Sequence, residues 1–295
     1  MTNDGSSFRE DVELSRFTTI GTGGIARAFS EPRTLAELEG ALRAARERDL
    51  SVAAVGLGSN LLVADAGVDM LVVRLAGELA MARTEGTVLV AGGGATNAVC
   101  LHRARDAALG GFEFACAIPG TAGGGVWMNA GAYESDWSAI VNRALIATAD
   151  GTGWLTGIEL GLSYRCSNLQ RSQVVAAVEY DLVPRDSDEI RARVRDLVER
   201  RKATQPTTKR TFGSVFKNPP GDVGAGTLIE RCGLKDYRHG GAVISPRHAN
   251  FIENVGDATT ADCLALMAEA RRRVREEFGV ELEHEVVLLG AIDVE

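Results

Sequence analysis

Residues 118–133 read IPGTAGGGVWMNAGAY, with five glycines in sixteen positions behind Pro119. A helix so rich in glycine is marginal on propensity, so the stretch is expected to be a long loop. Glycine at this density lets a backbone come close to a flat or anionic group. Asn129 can supply two donors and an acceptor there. A second such segment, GLGSNLLVAD at 56–65, directly follows the buried-strand pattern SVAAVG. Gly56 and Gly58 free its backbone to point successive N–H groups into one concavity, and Ser59 and Asn60 add short polar groups. A diphosphate suits such a nest. Two glycine segments, each behind a strand, suit one extended ligand with a diphosphate in its middle. A flavin dinucleotide and a nicotinamide dinucleotide both fit. An ordinary turn at 56–65 and a tightly packed loop at 118–133 are the plainer alternatives.

Outward from these segments the chain mixes strands and helices without a strict βαβ order, which indicates an α+β fold. A helix over 34–49 starts at a Thr34/Glu37 capping box. Strands are expected at 51–56 and 70–75, with a glycine-bounded loop over 57–67 between them. A strand at 87–92 precedes a helix at about 95–109 that stops at Gly110-Gly111. Residues 143–156 read as a hairpin turning at Asp150-Gly151, and 173–183 as a strand. A charged helix over 187–203, capped by Asp186 and closed by Pro206, marks a domain junction. Beyond it lie a strand at 211–217, a helix near 226–232, strands near 241–245 and 250–253, a helix at 260–278 ending at Gly279, and a strand at 286–290.

Composition narrows the function. The chain has 295 residues, 45% of them hydrophobic, enough for about two domains. A net charge of −8 argues against a general nucleic-acid binder but leaves room for a small anionic ligand. Glycine accounts for 34 residues, well above the usual ~7%. The N-terminal MTNDGSSFREDVEL shows no signal-peptide pattern, and no apolar run reaches membrane-spanning length. Five scattered cysteines without a CxxC suit a reducing cytoplasm, with neither a disulfide framework nor a zinc site. No metal is expected.

Some candidate motifs fail on context. GTGGIA at 21–26 matches G-x-G-x-x-A formally, but a poor strand precedes it and no helix follows, so it reads as a glycine turn. Ser214, in TFGSVFKNP, lacks the G-x-S-x-G elbow of a serine hydrolase. Arg165, in YRCS just before a strand, could grip a carboxylate or phosphate in bidentate fashion. Glu285, in LEHEVVLLG, sits against an apolar strand where an acid can take part in proton transfer. Each of these two is more ordinarily a solvated surface group.

Taken in order, TTIGTGG (18–24), GLGSNLLVAD, IPGT-GG-MNAGAY, YR-S (164–167), GSVFKNP (213–219), HGGAVISPRHANFIEN (239–254) and LEHEVVLLG resemble the UDP-N-acetylenolpyruvoylglucosamine reductase family. These are the flavin reductases of peptidoglycan precursor synthesis. The resemblance spans residues 17–290 and favours the family's shorter form, since 183–211 has room for only one helix and a linker. It implies a two-part FAD-binding domain of the vanillyl-alcohol-oxidase type plus a smaller α+β substrate domain. Residues 1–76 and 77–199 would form the two FAD-binding parts and 200–282 the substrate domain, with 283–295 returning to the first part.

The family pattern also implies site residues. Ser214, Arg165 and Glu285 would be catalytic. Gly56, Gly58, Ser59, Asn60, Leu61, Pro119, Gly120, Thr121, Gly124, Asn129, Gly131 and Ala132 would hold non-covalent FAD. Tyr164, Lys217 and Asn218 would meet substrate, with Arg201, Lys202 and Gln205 as further candidates near its diphosphate. NADPH would be the co-substrate, in a cytoplasmic monomer. Two positions depart from the pattern. Glu134 follows GAY where the family usually has glycine, and His284 precedes Glu285 where proline is frequent. A rival reading is an oxidase on the same fold with tethered flavin. Another is a flavin-binding module without activity.

Overall fold

Thr34 opens the first helix, α1 (Leu35–Glu47), by accepting the Glu37 N–H at 3.2 Å. The return arm of the expected box lands one residue early, because Glu37 takes the Arg33 N–H at 2.7 Å. α2 (Asn97–Asp106) is capped by Thr96. It stops before the expected glycine pair, with Ala108 taking the left-handed conformation at φ +53°. Leu109–Gly110 then pairs with Val183–Pro184. The coordinates are a computed structural model that describes residues 8–292. The first seven residues of the stretch read as lacking a signal sequence, and the last three of the C-terminal segment, lie outside the described residues.

The glycine-rich stretch is not simply a loop. Residues Ala122–Met128 form a helix, α3, capped by Thr121, whose hydroxyl accepts the Gly124 N–H at 3.3 Å. Packing overrides the poor propensity. A Cβ on Gly125 would stand 2.5 Å from Cε2 of Trp137, and one on Gly123 would stand 2.9 Å from the Gly93 carbonyl. These two glycines let the helix lie directly on its neighbours. Trp137 is fully buried, donates to the Tyr180 hydroxyl at 2.9 Å, and meets Phe112 and Phe114 edge-on. Such pairs add about 0.5–1.5 kcal/mol each beyond burial.

α4 (Ser187–Thr204) begins where Asp186 accepts the N–H groups of Asp188 and Glu189. α5 is Ala225–Arg231. α6 (Thr260–Phe278) carries a full Thr259/Asp262 capping box and ends at Gly279, φ +68°. Two compact units contain these elements. The first is Met1–Asp11, Arg27–Leu57 and Asp69–Arg200; the second is Val12–Ala26, Gly58–Val68 and Arg201–Glu295.

In the first unit, an antiparallel sheet runs in the order Gly151–Thr156, Val141–Thr148, Val174–Asp181, Val88–Gly92, Ala82–Glu85. Its first two strands form the expected hairpin, with Thr148 opposite Gly151. Leu38 and Leu42 of α1 pack with Leu71, Val73, Val174 and Ala176. Another sheet is ordered Arg9–Glu13, Ile25–Ser30, Val68–Val73, Val52–Ala54. The start of Ile25–Ser30 at the expected turn confirms that no Rossmann helix follows GTGGIA.

The second unit holds an antiparallel sheet ordered Arg210–Ser214, Phe251–Asn254, Ala242–Ile244, Arg238–His239. Leu228 and Ile229 of α5 and Leu266, Met267 and Val274 of α6 cover it, against Phe212, Ile244 and Ile252. Residues 57–67, expected to be loop, contain a strand, Leu61–Val63, that runs parallel to Val287–Leu289. The α+β class holds.

Candidate functional site

In the first unit, the two glycine segments touch. A Cβ on Gly56 would lie 2.6 Å from the Thr121 hydroxyl, so glycine is needed for this approach. Residues 118–120 are pinned from α2, where Asn97 sends its N–H to the Gly120 carbonyl at 3.0 Å and its Nδ2 to the Ile118 carbonyl at 2.9 Å. Pro119 is exposed beside this pin. Gly124 differs from its neighbours in the helix. It is exposed, and a Cβ there would meet only the Thr121 hydroxyl, at 3.5 Å.

Asn129 ends α3 in the left-handed conformation, φ +40°, and is 1% exposed. Its Nδ2 donates to the Ser163 carbonyl at 2.8 Å and its Oδ1 accepts the Ser138 N–H at 3.0 Å. The amide therefore holds the chain itself. Arg165 Nη2 donates to the Gly131 carbonyl at 2.8 Å, and its guanidinium lies 5.0 Å from the Tyr164 ring centre. Ser167 Oγ donates to the Trp127 carbonyl at 2.7 Å. These bonds gather Asn129, Gly131, Tyr164 and Arg165. Tyr164–Ser167 is not the approach to a strand, as its sequence suggested. Ser163 and Cys166 exchange backbone bonds in a tight turn, Arg165 has φ +53°, and the next strand begins at Val174. Ala132 belongs to a hairpin, Gly131–Ala132 with Ser135–Asp136, whose tip residues Tyr133 and Glu134 have φ +54° and +64°. Tyr133 donates to the Leu197 carbonyl at 3.0 Å.

The second unit gathers the other candidates. Gly58 has φ +62°, and a Cβ there would collide with the Phe17 carbonyl. Asn60 Nδ2 donates to the Glu285 carbonyl at 3.1 Å, and the Val287 N–H donates to the Asn60 carbonyl at 3.0 Å. Its Oδ1 is buried and has no partner among the described residues. Leu61, 9% exposed, opens the buried strand next to it. Gly213, φ +82°, sits so close that a Cβ would be 3.1 Å from the Ser59 carbonyl. Ser214 ends its strand half-buried. The carbonyl of the next residue, Val215, accepts the Glu285 N–H at 2.8 Å. Ser59, Asn60, Ser214 and Glu285 thus share one neighbourhood.

Lys217 Nζ pairs with Glu283 at 2.6 Å, and Asn218 Oδ1 accepts the Ala225 N–H at 3.1 Å, capping α5. Burial, with the charges of Arg271 and Lys217, pushes the His284 imidazole below its ordinary pKa, against Glu283. Arg201 donates to Gln205 at 3.3 Å, and the Lys202 carbonyl accepts from Arg247 at 2.7 Å. Asp65, the last residue of GLGSNLLVAD, accepts the N–H groups of Thr260 and Ala261 at 2.8 and 2.9 Å and so anchors α6. The sequence reading missed Asn97 and Asn250. A short amide amid apolar neighbours was the available signal for the second.

In the first unit, the open position at Gly124, beside the close approach of Gly56 to Thr121, fits a bound group such as FAD. Among the described residues, no cluster of His, Cys, Asp or Glu could hold a metal, and no helix is long and apolar enough to cross a membrane.

Comparison with known proteins defines the class first. Residues 26–156 match the family described as "FAD binding domain", and residues 205–289 match "UDP-N-acetylenolpyruvoylglucosamine reductase, C-terminal domain". The chain is thus an FAD-binding domain of the vanillyl-alcohol-oxidase type joined to a second α+β domain. It is 45% identical over 289 residues to UDP-N-acetylenolpyruvoylglucosamine reductase 2 of Symbiobacterium thermophilum, covering 97% of this chain and 94% of that one. It is also 45% identical to the reductase of Anaeromyxobacter dehalogenans, over 95% of this chain and 85% of that one. The crystal structure of the Thermus caldophilus reductase aligns with a TM-score of 0.82 at 36% identity, covering 96% of this chain and 100% of that one. The chain belongs to the UDP-N-acetylenolpyruvoylglucosamine reductase family.

Proposed function

We infer that the chain reduces UDP-N-acetylglucosamine enolpyruvate to UDP-N-acetylmuramate, with NADPH as reductant, in peptidoglycan precursor synthesis. FAD, bound without a covalent tether, supplies the hydride relay between the nicotinamide and the methylene carbon of the enolpyruvyl group. The residues assigned to hold it are Gly56, Gly58, Ser59, Asn60, Leu61, Pro119, Gly120, Thr121, Gly124, Asn129, Gly131 and Ala132.

The chain's task is to manage the charge and proton of the second half-reaction. Reduction of the methylene carbon places charge on the adjacent carbon and its carboxylate, and that charge must be stabilised where it develops. Arg165 and Glu285 are assigned to polarise the carboxylate. An ionised Glu285 would repel it, so the role requires a proton on Glu285 or a shared donor. Ser214 delivers a proton to the enolate carbon. A hydroxyl is a weak acid, so it works as a relay, with Lys217 the candidate behind it. Tyr164 and Asn218 are assigned to substrate. Residues 1–76 and 77–199 serve FAD, 200–282 serve substrate, and the protein works as a cytoplasmic monomer.

The observation that carries this reading is the bond from the Glu285 N–H to the Val215 carbonyl. It joins the segment bearing the acid to the one bearing the hydroxyl. The absorption spectrum of the purified protein tests it. Flavin bands near one per chain should bleach with NADPH and return on adding the enolpyruvyl nucleotide. Bands that bleach but are not restored by that nucleotide would contradict the reading.

A further inference from the structure

We propose that Asn250 is a positioning residue for proton delivery by Ser214, an inference that rests on the role just given to Ser214. Asn250 is 3% exposed. Its Oδ1 accepts the Phe216 N–H at 2.9 Å and its Nδ2 donates to the Phe216 carbonyl at 2.8 Å. Its own carbonyl accepts the Val215 N–H at 2.9 Å. The ladder between Arg210–Ser214 and Phe251–Asn254 loses register between Thr211 and Ser214. Backbone pairing just past the irregularity thus ends at Val215, and the side-chain amide takes over at Phe216. On its far side, Val215 is held by the N–H groups of Glu285 and Val286, at 2.8 and 3.4 Å.

Asn250 is itself fixed. Its N–H donates to Nδ1 of His248 at 3.2 Å, and the His248 ring packs edge-on against Phe251 at 5.0 Å. One buried amide therefore sets the path of the chain immediately after the hydroxyl, from the side opposite Glu285. An apolar core residue would also fill this space, but it would not satisfy both backbone groups of Phe216. A displacement of about 1 Å in such a segment is enough to slow a reaction some 10²-fold.

Asn250→Asp tests this in the holoenzyme. It keeps the shape and the acceptor for the Phe216 N–H but loses the donor to the Phe216 carbonyl. Flavin reduction by NADPH should be unchanged. The dissociation constant of the enolpyruvyl nucleotide, read from the shift it causes in the flavin spectrum, should also hold. Flavin reoxidation by that nucleotide should slow about 10–10²-fold. The double variant with Ser214→Ala should be no slower than Ser214→Ala alone, because Asn250 acts through the hydroxyl. Asn250→Gln, which keeps both the amide donor and the amide acceptor on a stem one methylene longer, should recover part of the rate and replaces Asn250→Asp if that variant does not fold. Ile252→Val, buried on the same strand, should lower stability without separating the half-reactions. Reoxidation at the parent rate in Asn250→Asp, or losses that multiply in the double variant, would overturn the proposal while leaving Ser214 in place. Parent-rate reoxidation in Ser214→Ala would overturn the proton-donor reading and this inference with it.

Discussion

Gly124→Ala separates two reasons for glycine in one helix. In the flavin-free protein, the new methyl meets only the Thr121 hydroxyl, at an ordinary 3.5 Å. Alanine is favoured over glycine in a helix by about 1 kcal/mol. The flavin-free variant should therefore be about 0.5–1 kcal/mol more stable than the parent. If the open side of Gly124 receives the cofactor, the same methyl intrudes on it. An overpacking cost of about 1–3 kcal/mol corresponds to roughly 5–150-fold weaker flavin binding. Gly125→Ala is the control. Its methyl would stand 2.5 and 2.6 Å from two carbons of the buried Trp137 ring. The cost of moving that ring or the helix, about 1–3 kcal/mol, exceeds the propensity gain. Urea unfolding of flavin-free protein followed by circular dichroism gives the stabilities, and a fluorescence titration gives flavin affinity. Gly124→Ala with parent affinity for flavin would remove Gly124 from the site. Gly125→Ala as stable as the parent would refute the packing argument.

Glu134→Gly should stabilise the protein by about 0.5–1 kcal/mol. Its φ of +64° costs a non-glycine residue about 1–2 kcal/mol, offset in part by the greater unfolded freedom of glycine. A lower urea midpoint would show that the turn is not strained. Burial raises the thiols of Cys100 and Cys263 to about 12, whereas Cys166 is exposed. A thiol reagent at pH 8 should therefore label Cys166 first and reach those two only after unfolding. Early modification of Cys100 would contradict the packing around it. Burial, reinforced by Lys235 and opposed by a backbone bond and Glu230, holds His248 below its ordinary 6.5. The folded pKa lies below the unfolded one, so this contribution is present above about pH 6.5 and is lost as pH falls through the folded pKa. His248→Gln should flatten the fall in urea midpoint between pH 7.5 and 5.5, and an unchanged slope would count against it.

The sequence marked the elements whose signals are local. Thr34 and Asp186 cap helices where their spacing implies, and Gly279 ends the last one. Among the elements that escaped, two have causes that lie elsewhere in the chain. α3 forms because Gly125 and Gly123 lie on Trp137 and Gly93, a contact that propensity cannot register. Leu61–Val63 becomes a strand because Val287–Leu289 pairs with it from the other end of the chain. At the site, motif residues were legible and their supports were not. Asn60, Ser214 and Glu285 are conspicuous in their motifs, whereas Asn250 shows its role only through two bonds to Phe216. Asp65 and Asn129 belong to the same motifs, yet their side chains hold a helix start and a turn.

Rapid mixing of Ser214→Ala holoenzyme tests the assignment of roles most directly. NADPH should bleach its flavin at the parent rate. The enolpyruvyl nucleotide should then restore the flavin about 10²–10⁴-fold more slowly than in the parent, the usual worth of a positioned acid. Restoration at the parent rate would show that the proton comes from elsewhere.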